Sequence, residues 1–365
     1  MNSYQMTQSQ NLSEINQNIQ IENRRLRERL LELYVQINSL TSFSEDIGIS
    51  TTLQETSKYR RLSNAAPYRF VQQESMILPG GAIYSASLNP KEDVFALASL
   101  SGAITVMSTD LKTSCVLSGH SLSCRDVYWS EIGLISCGFD RKVKLWDVQE
   151  GKTSREFETN GLAHSVCGMK NDVNSIFAAS GDKIYWIDTR RKTPITVSSE
   201  SQTTAVTCWN DYIIYGGYDG YLNIMDRRNI QGGKISGIDL GGGPISSFSR
   251  VLDSGRFIAS TVKAPHQLIQ IGDEIKRTSM PCDAPGRFGC RGAINDKSLI
   301  FEGDYEAVCG GKMGIFFEGN SGNIPQILED VNGFIYGALF ITNLSHKILT
   351  YSEDGALSVW SLRQF

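Results

Sequence analysis

The 365-residue sequence has no long hydrophobic segment and no excess of basic residues. Its longest apolar run, Phe334 to Ile341, contains Gly337 and is far shorter than the roughly 20 residues that cross a bilayer. The N-terminal region is polar and lacks the apolar core of a secretory signal. The 35 basic and 39 acidic residues give a net charge of −4, which argues against dominant binding to nucleic-acid backbone. We therefore expect a cytoplasmic or nuclear protein without a membrane span.

Sequence motifs for catalysis, nucleotide binding and metal binding are missing as well. The chain has no P-loop, no G-x-G-x-x-G, no G-x-S-x-G and no H-E-x-x-H. Its 4 histidines have no ligand spacing, and its 8 cysteines form no C-x-x-C pair. We interpret the cysteines as small buried hydrophobic residues in a reducing compartment. The sequence thus predicts no catalytic residue, no metal site and no cofactor, although distant segments can still assemble a site.

A hydrophobic heptad pattern occupies residues 12–40. Apolar residues form two rows offset by four positions, without Pro or Gly, as at the d and a positions of a coiled coil. The seam consists of Leu12, Ile19, Asn23, Leu26, Leu30, Leu33, Ile37 and Leu40. Because Asn residues pair across a parallel dimer seam, we predict a coiled-coil helix that pairs with itself or with another helix. The alternative is a helix that packs on its own globular domain.

The segments on either side of this helix are polar. We expect residues 1–11 to be disordered and residues 41–67, which are rich in Ser and Thr, to form a linker. The linker contains Arg60-Arg61-Leu62-Ser63, a spacing typical of basophilic kinase substrates. Ser63 is therefore a candidate phosphorylation site, where a phosphate would add about −2 of charge beside two arginines.

From residue 68 onward, short β-branched and aromatic runs alternate with Gly and Asp turns. One unit recurs: an apolar strand, a turn, a second strand and a polar step. The second strand ends at Met107, Trp146, Ile187, Met225, Ile271, Phe317 and Trp360. The repeat length is close to the roughly 40–45 residues of a four-stranded propeller blade. The sequence therefore predicts an all-β fold, a seven-bladed propeller over residues 68–365.

One unit resembles the WD40 repeat, because Gly119-His120 begins it and Trp146-Asp147 ends it. In WD40 repeats a His, a Ser or Thr, an Asp and the Trp form a hydrogen-bonded tetrad that satisfies the buried indole N–H. The resemblance implies such a tetrad of His120, Ser136, Asp140 and Trp146. The last repeat retains three of the four residue types, at Thr350, Asp354 and Trp360.

The last repeat ends just after its third strand and lacks an outer one. Residues 68–78 are strand-like and precede the first full repeat. We predict that they supply the outer strand of the last blade, because an unpaired sheet edge is a liability for a folded protein.

The WD40 resemblance also implies a binding face, at the loops near the tetrad aspartate. Its candidate residues are Tyr84, Arg125, Phe139, Tyr218 and Glu353. We expect a non-enzymatic scaffold that binds partner proteins on this face and assembles through its coiled coil. Two alternatives fit the same architecture: a G-protein beta-like signalling subunit, and a WD40 subunit of a transcription or RNA-processing complex.

Overall fold

The structure, a computed structural model, describes residues 68–91, 93–262, 266–272, 274–279, 291–294, 299–303, 313–317, 324–327, 334–341 and 347–364. The predicted N-terminal segment 1–11, the coiled-coil seam from Leu12 to Leu40, the linker 41–67 and Ser63 lie outside the described residues. Among the described residues, no helix is long and apolar enough to cross a membrane.

The described strands form seven four-stranded antiparallel sheets. β1 (Tyr68–Ile77) opens the described chain and belongs to the last sheet. The first sheet consists of β2 (Ile83–Leu88), β3 (Val94–Ser99), β4 (Ile104–Ser108) and β5 (Thr113–Leu117). The second consists of β6 (Cys124–Ser130), β7 (Gly133–Gly138), β8 (Lys142–Asp147) and β9 (Lys152–Glu158). The third consists of β10 (Ala163–Gly168), β11 (Ser175–Ser180), β12 (Lys183–Asp188) and β13 (Ile195–Ser198).

The remaining strands continue the same pattern. The fourth sheet consists of β14 (Thr203–Trp209), β15 (Tyr212–Gly217), β16 (Tyr221–Asp226) and β17 (Lys234–Asp239). The fifth consists of β18 (Ile245–Phe248), β19 (Arg256–Thr261), β20 (Gln267–Gln270) and β21 (Lys276–Ser279). The sixth consists of β22 (Ala293–Ile294), β23 (Leu299–Gly303), β24 (Met313–Phe317) and β25 (Ile324–Ile327). The last sheet consists of β26 (Ile335–Ile341), β27 (Lys347–Ser352), β28 (Ala356–Gln364) and β1. A short 3-10 helix, Arg227–Gly232, follows β16.

The sheets are arranged in a ring. The first strand of each sheet lies innermost, each sheet contacts the next, and β26 of the last sheet contacts β2 of the first. An arrangement in which four-stranded antiparallel sheets surround a central channel is a β-propeller. The prediction of an all-β propeller is confirmed.

The position of each strand in its sheet accounts for its residue pattern. The second strand is covered on both faces by neighbouring sheets, and in β11 all six residues are buried. Such strands are continuous runs of small and β-branched residues. The outer strands β9 and β17 instead alternate between more and less exposed residues, because only one face packs against protein.

The hydrophobic core is divided among the spaces between adjacent sheets. Ile104 of the first sheet and Leu134 of the second belong to one such cluster, together with Trp146. Phe95 and Tyr351 belong to the cluster between the first and last sheets. Each sheet can bury both faces only when its neighbours are in place, so the ring is stabilised as a whole.

The two ends of the described chain meet in the last sheet. β1 pairs antiparallel with β28, from Tyr68 opposite Gln364 to Ile77 opposite Ala356. Met76 and Leu78 pack against the cluster between the last and first sheets. β1 therefore covers the edge of β28 that would otherwise be open to pairing with another chain.

Six inner strands share an irregularity close to their first residue. The register of β2, β6, β10, β14, β18 and β26 shifts there, as in a β-bulge. The extra residues are Tyr84, Arg125, His164, Thr204, Ser246 and Tyr336. A bulge redirects a side chain away from the regular ladder. These residues therefore gather at the end of the channel where the inner strands begin, which we call the mouth.

Candidate functional site

The second sheet contains a hydrogen-bonded chain of four side chains. The Trp146 indole Nε1–H donates to Ser136 Oγ (2.8 Å), and Ser136 Oγ lies 2.7 Å from His120 Nε2. His120 Nδ1 lies 2.9 Å from both carboxylate oxygens of Asp140. Because an ionised carboxylate only accepts, Nδ1 carries the proton and Nε2 accepts from the serine hydroxyl. The structure thus brings together the four residues of the expected tetrad.

The surroundings of the tetrad exclude solvent and keep the carboxylate of Asp140 ionised. The side chains of His120 and Asp140 are 0% and 2% exposed. Burial alone would raise the pKa of Asp140, but the hydrogen bond that its carboxylate accepts from His120 brings the pKa below its usual value. Gly119 permits this packing, because a Cβ there would lie 2.8 Å from the Trp146 ring.

The last sheet contains part of this arrangement. Trp360 Nε1–H donates to Thr350 Oγ1 over 3.0 Å. Asp354 instead accepts from the backbone N–H of Ala356 (3.1 Å) and from the Ser352 hydroxyl, both in the turn between β27 and β28. The three residues therefore do not form one network. In the described part of this sheet, no histidine connects the aspartate to the threonine.

Aromatic side chains surround a guanidinium at the mouth. Arg125 Cζ lies 3.9 Å from the ring centroid of Tyr84 and 5.0 Å from that of Phe139. Phe139 packs edge-on against His164 (centroids 5.1 Å apart), and Tyr84 lies 5.7 Å from Tyr336. These five residues, the mouth cluster, come from the last sheet and the first three. Burial lowers the pKa of Arg125.

The other two residues expected on the binding face lie in equivalent turns. The backbone N–H of Phe139 donates to Ser123 O (2.9 Å), that of Tyr218 to Gln202 O (3.0 Å) and that of Glu353 to Phe334 O (2.8 Å). Each bond joins the turn after a second strand to the loop before the inner strand of the same sheet. Tyr218 is 47% exposed and Glu353 is also exposed. The structure thus brings Tyr84, Arg125 and Phe139 into contact, whereas Tyr218 and Glu353 belong to the fourth and last sheets.

A buried carboxylate beside Arg125 was missed by the sequence analysis. Asp126 is 3% exposed and accepts hydrogen bonds from the hydroxyls of Ser85 (2.7 Å) and Ser165 (2.9 Å). It also accepts from the backbone N–H of Val166 (2.9 Å) and lies 3.0 Å from Nη1 of Arg291. The donors come from the first sheet, the third sheet and the segment before β22, while Asp126 belongs to the second sheet. We call Asp126 and Arg291 the channel ion pair.

The contacts of Arg291 favour the charged form of its guanidinium. Burial alone would lower the pKa of Arg291, but the charge of Asp126 raises it. Arg291 Nη2–H also donates to the backbone carbonyl of Arg125 (3.5 Å). The Arg291 backbone bonds to β26 of the last sheet, and its guanidinium reaches the second sheet.

Repeat spacing is the sequence signal that could have identified these residues. Ser85 and Ser165 lie 41 and 39 residues from Asp126, which is one repeat on either side. By the same spacing, His164 and Tyr336 match Arg125 in the third and last repeats. Aligning the inner strands of all repeats would have placed them together. Arg291 precedes a two-residue strand, β22, and gives no such signal.

A cavity of about 730 Å³ lies beyond the channel ion pair, between the inner strands. Asp126 and Arg291 line it, and the ion pair of Lys170 and Asp253 lies where the inner strands end. Trp209 Nε1–H donates to Asp253 O over 3.2 Å. The channel ion pair therefore lies between the mouth cluster and this cavity.

The titratable side chains in the described part of the chain include two neighbouring thiols but no cluster suited to a metal ion. Among the described residues, no group of three or more His, Cys, Asp or Glu side chains is arranged to hold a metal ion. The thiols of Cys167 and Cys208 lie 3.2 Å apart on adjacent inner strands. Burial raises the pKa of the Cys167 thiol far above its usual value, which disfavours the reactive thiolate.

Comparisons with known proteins gave a partial sequence match and a solved structure of similar fold. No family model matches the sequence. Ribosome biogenesis protein YTM1 of Laccaria bicolor is 28% identical over 104 residues, which cover 26% of this chain and 23% of that protein. The match thus spans less than a quarter of that relative's length. The crystal structure of the Myceliophteria thermophila Cps50 (Swd1) β-propeller domain matches with a TM-score of 0.66 and 16% identity, over 80% of this chain and 99% of that domain.

The ring of sheets, the His–Ser–Asp–Trp network and this structural match lead to one conclusion. The protein has the fold of the WD40-repeat β-propellers. The resemblance first indicated by Gly119-His120 and Trp146-Asp147 is confirmed. A fold of this kind hosts many unrelated functions, so function must be argued from the surface.

The channel ion pair should stabilise the ring. We expect Asp126→Asn to lower the free energy of unfolding by about 3–5 kcal/mol, because Arg291 would remain buried without its counter-charge. Arg291→Met alone should also destabilise, and the double variant should lose clearly less than the sum of the two. Urea denaturation of the four proteins measures this coupling. Strictly additive losses would show that the two side chains do not depend on each other.

His164 should make stability depend on pH. Burial, followed by the charge of Arg125, lowers the pKa of His164 from 6.5 to about 4. The unfolded chain therefore binds a proton between these values that the folded chain does not. The free energy of unfolding should fall as the pH is lowered from about 6.5 to about 4, by at most about 1.4 kcal/mol per pH unit from this group.

The variant His164→Gln isolates this contribution. Urea denaturation at intervals from pH 7 to pH 4 should give a shallower loss of stability for the variant than for the wild type. Equal slopes for the two proteins would contradict the assignment to His164.

Proposed function

We propose that this protein is a non-enzymatic scaffold that binds a partner protein on the mouth face of its propeller. The mouth face comprises the mouth cluster and the exposed apolar residues of the loops at the same end, Leu100, Leu122, Leu162 and Tyr218. The observation that carries the proposal is this concentration of large apolar side chains on one end of the ring.

Four large apolar side chains at this end of the ring are largely exposed to solvent. Leu100, Leu122, Leu162 and Tyr218 are 50%, 56%, 45% and 47% exposed. They lie in the turns after β3 and β15 and in the loops before β6 and β10, in four consecutive sheets. Contiguous exposed apolar surface with a polar rim is typical of protein-interaction sites. Aromatic residues and Arg, such as those of the mouth cluster, supply much of the binding energy of interfaces.

The tetrad supports the proposal by fixing the loops of the second sheet. Asp140 accepts from the backbone N–H of Ser121 (3.3 Å), next to Leu122. Phe139 directly precedes Asp140 and donates its backbone N–H to Ser123 O. These bonds hold Leu122 and Phe139 in place before a partner arrives. A preformed surface loses little conformational entropy on binding.

The proposal also covers the number of blades, the N-terminal helix and the linker between that helix and the propeller. We propose that the seven sheets act as seven blades of one domain over residues 68–365. The helix at residues 12–40 would join the propeller to a larger complex through a parallel coiled coil, with residues 41–67 as the linker. The heptad pattern from Leu12 to Leu40 supports this part. Two binding modules on one chain raise the effective affinity for an assembly that engages both.

A role in a ribosome-assembly complex is the second candidate. The specific observation in its favour is the similarity to a ribosome biogenesis protein over 104 residues. It is a version of the RNA-processing alternative, and it favours a nuclear over a cytoplasmic location. A G-protein beta-like subunit remains the third reading, since it also combines a coiled coil with a propeller.

Co-purification tests the mouth face. The tagged full chain is expressed in its own cells, and its stoichiometric partners are quantified by mass spectrometry. We expect Leu122→Asp/Leu162→Asp to reduce recovery of a partner by roughly tenfold or more, because charges replace interface leucines. The matched control is Val116→Asp/Ile235→Asp, which changes exposed apolar residues (54% and 61%) on the outer strands β5 and β17. Equal recovery with all three proteins would contradict the proposal.

The identity of the partners separates the candidate functions. Ribosome-assembly factors would support the second candidate, and a small helical partner together with a nucleotide-binding subunit would support the third.

Sedimentation tests the coiled coil. We expect the full chain to sediment as a dimer and Leu26→Asp/Leu33→Asp as a monomer, because both changes put charge into the seam. The control Glu22→Gln alters a residue at the flanking g position and should stay dimeric. A monomeric wild-type chain would exclude self-pairing and leave a heteromeric partner helix.

A further inference from the structure

We propose that Arg125 is the ligand-binding centre of the mouth face and that it binds the carboxylate of an Asp or Glu side chain of the partner protein. This inference rests on the proposed function, because it names the chemistry that the mouth face recognises. It concerns a guanidinium to which the described residues provide aromatic neighbours but no anion.

The hydrogen-bonding state of Arg125 is the first observation. Tyr84 and Phe139 lie over its guanidinium, at 3.9 and 5.0 Å from Cζ. The N–H groups of a guanidinium lie in its plane, so these rings leave the donors unused. The buried Nε has no hydrogen-bond partner among the described residues. A buried donor without an acceptor is costly, so the guanidinium of Arg125 keeps hydrogen-bonding capacity that the described residues do not use.

The charge around Arg125 is the second observation. Within the described chain, no carboxylate forms an ion pair with its guanidinium. The nearest acidic neighbour in sequence, Asp126, is already used by Arg291 and by donors from two further sheets. His164 has its pKa lowered to about 4 and is therefore neutral at physiological pH. The mouth cluster thus carries one positive charge that the described residues leave uncompensated.

These two observations select the ligand. A carboxylate is planar and singly charged, and it accepts two parallel hydrogen bonds from the edge of a guanidinium. A phosphate dianion would bring about two negative charges to a site with one uncompensated cation. The Arg291 guanidinium cannot supply the second charge, because Asp126 neutralises it.

The aromatic residues exclude the opposite class of ligand. Clusters of aromatic rings commonly bind cations such as methylated lysine. Here Tyr84 and Phe139 already hold a cation of the protein itself. A lysine or arginine from a partner would meet Arg125 at close range, which is unfavourable in a partly buried site.

The surrounding loops add a second requirement. Leu100, Leu122 and Leu162 are exposed in the loops at the same end of the ring. A partner segment that contacts them gains by burying apolar side chains. The structure therefore favours a segment in which one acidic residue is flanked by large apolar residues.

Peptide selection provides the test. The full chain is immobilised and used to select binders from a random 12-residue peptide library on phage. We expect the selected sequences to share one Asp or Glu flanked by apolar residues. Each peptide is then synthesised with this residue or with its neutral amide, and fluorescence anisotropy gives both affinities. The amide version should bind the wild type roughly 10- to 100-fold more weakly, as for loss of a charged hydrogen-bonded pair.

Protein variants complete the experiment. Arg125→Gln should bind the acidic and amide peptides with equal, weak affinity. The matched control Arg155→Gln removes an arginine that also lies over an aromatic ring, Phe157 at 5.1 Å, on the outer strand β9 of the same sheet. It should bind like the wild type. The comparison of the two peptides on the wild-type protein needs no variant, so a folding defect of Arg125→Gln cannot obscure the result.

Failure of this inference can be distinguished from failure of the proposed function. Peptides that lose binding to Leu122→Asp/Leu162→Asp but contain no acidic residue would overturn the carboxylate assignment and leave the mouth face standing. Selection of phosphoserine peptides over their Glu counterparts in a parallel synthetic array would also overturn it. If no selected peptide depended on Leu122, Leu162 or Arg125, both the mouth face and its carboxylate ligand would be contradicted.

Discussion

The hydrogen bonds and the ion pair of the buried Asp126 carboxylate hold the inner strands of several sheets together. Strands of the first and third sheets each donate a serine hydroxyl to it, and Arg291, in the segment that precedes β22, supplies a guanidinium. The hydrophobic clusters of the described residues lie between neighbouring sheets, so they hold each sheet to the sheets beside it. The channel ion pair instead links distant sheets and leaves neither charge uncompensated, which a buried charge requires.

This arrangement determines the chemistry of the mouth. Asp126 forms its ion pair with Arg291. The adjacent Arg125 therefore has aromatic neighbours and no counter-ion among the described residues. The tetrad holds the neighbouring loop and Phe139. The outcome is a preformed surface that combines a cation with exposed leucines. Cations and large apolar side chains together are the residue types that carry binding energy in protein interfaces.

Sequence patterns identify what is repeated and local. His120, Ser136, Asp140 and Trp146 stand out by residue type and spacing, and the structure joins them by hydrogen bonds. Contacts between repeats are harder to foresee. Asp354 has the residue type of a tetrad aspartate, yet it bonds within its own turn. A motif identifies which residue occupies a position in the repeat. The hydrogen-bond partner of that residue depends on which side chains lie next to it in the folded protein.

The sequence by itself determined the β-propeller class, because buried strands at a regular spacing can satisfy both faces only by packing against copies of the same unit. It also fixed the order of residues from which the tetrad is built. The tertiary structure alone decided that Arg125, Tyr84 and Phe139 meet and that Arg291 reaches Asp126, 165 positions earlier in the chain. Ring closure creates these contacts, and no local pattern encodes a distance across the channel.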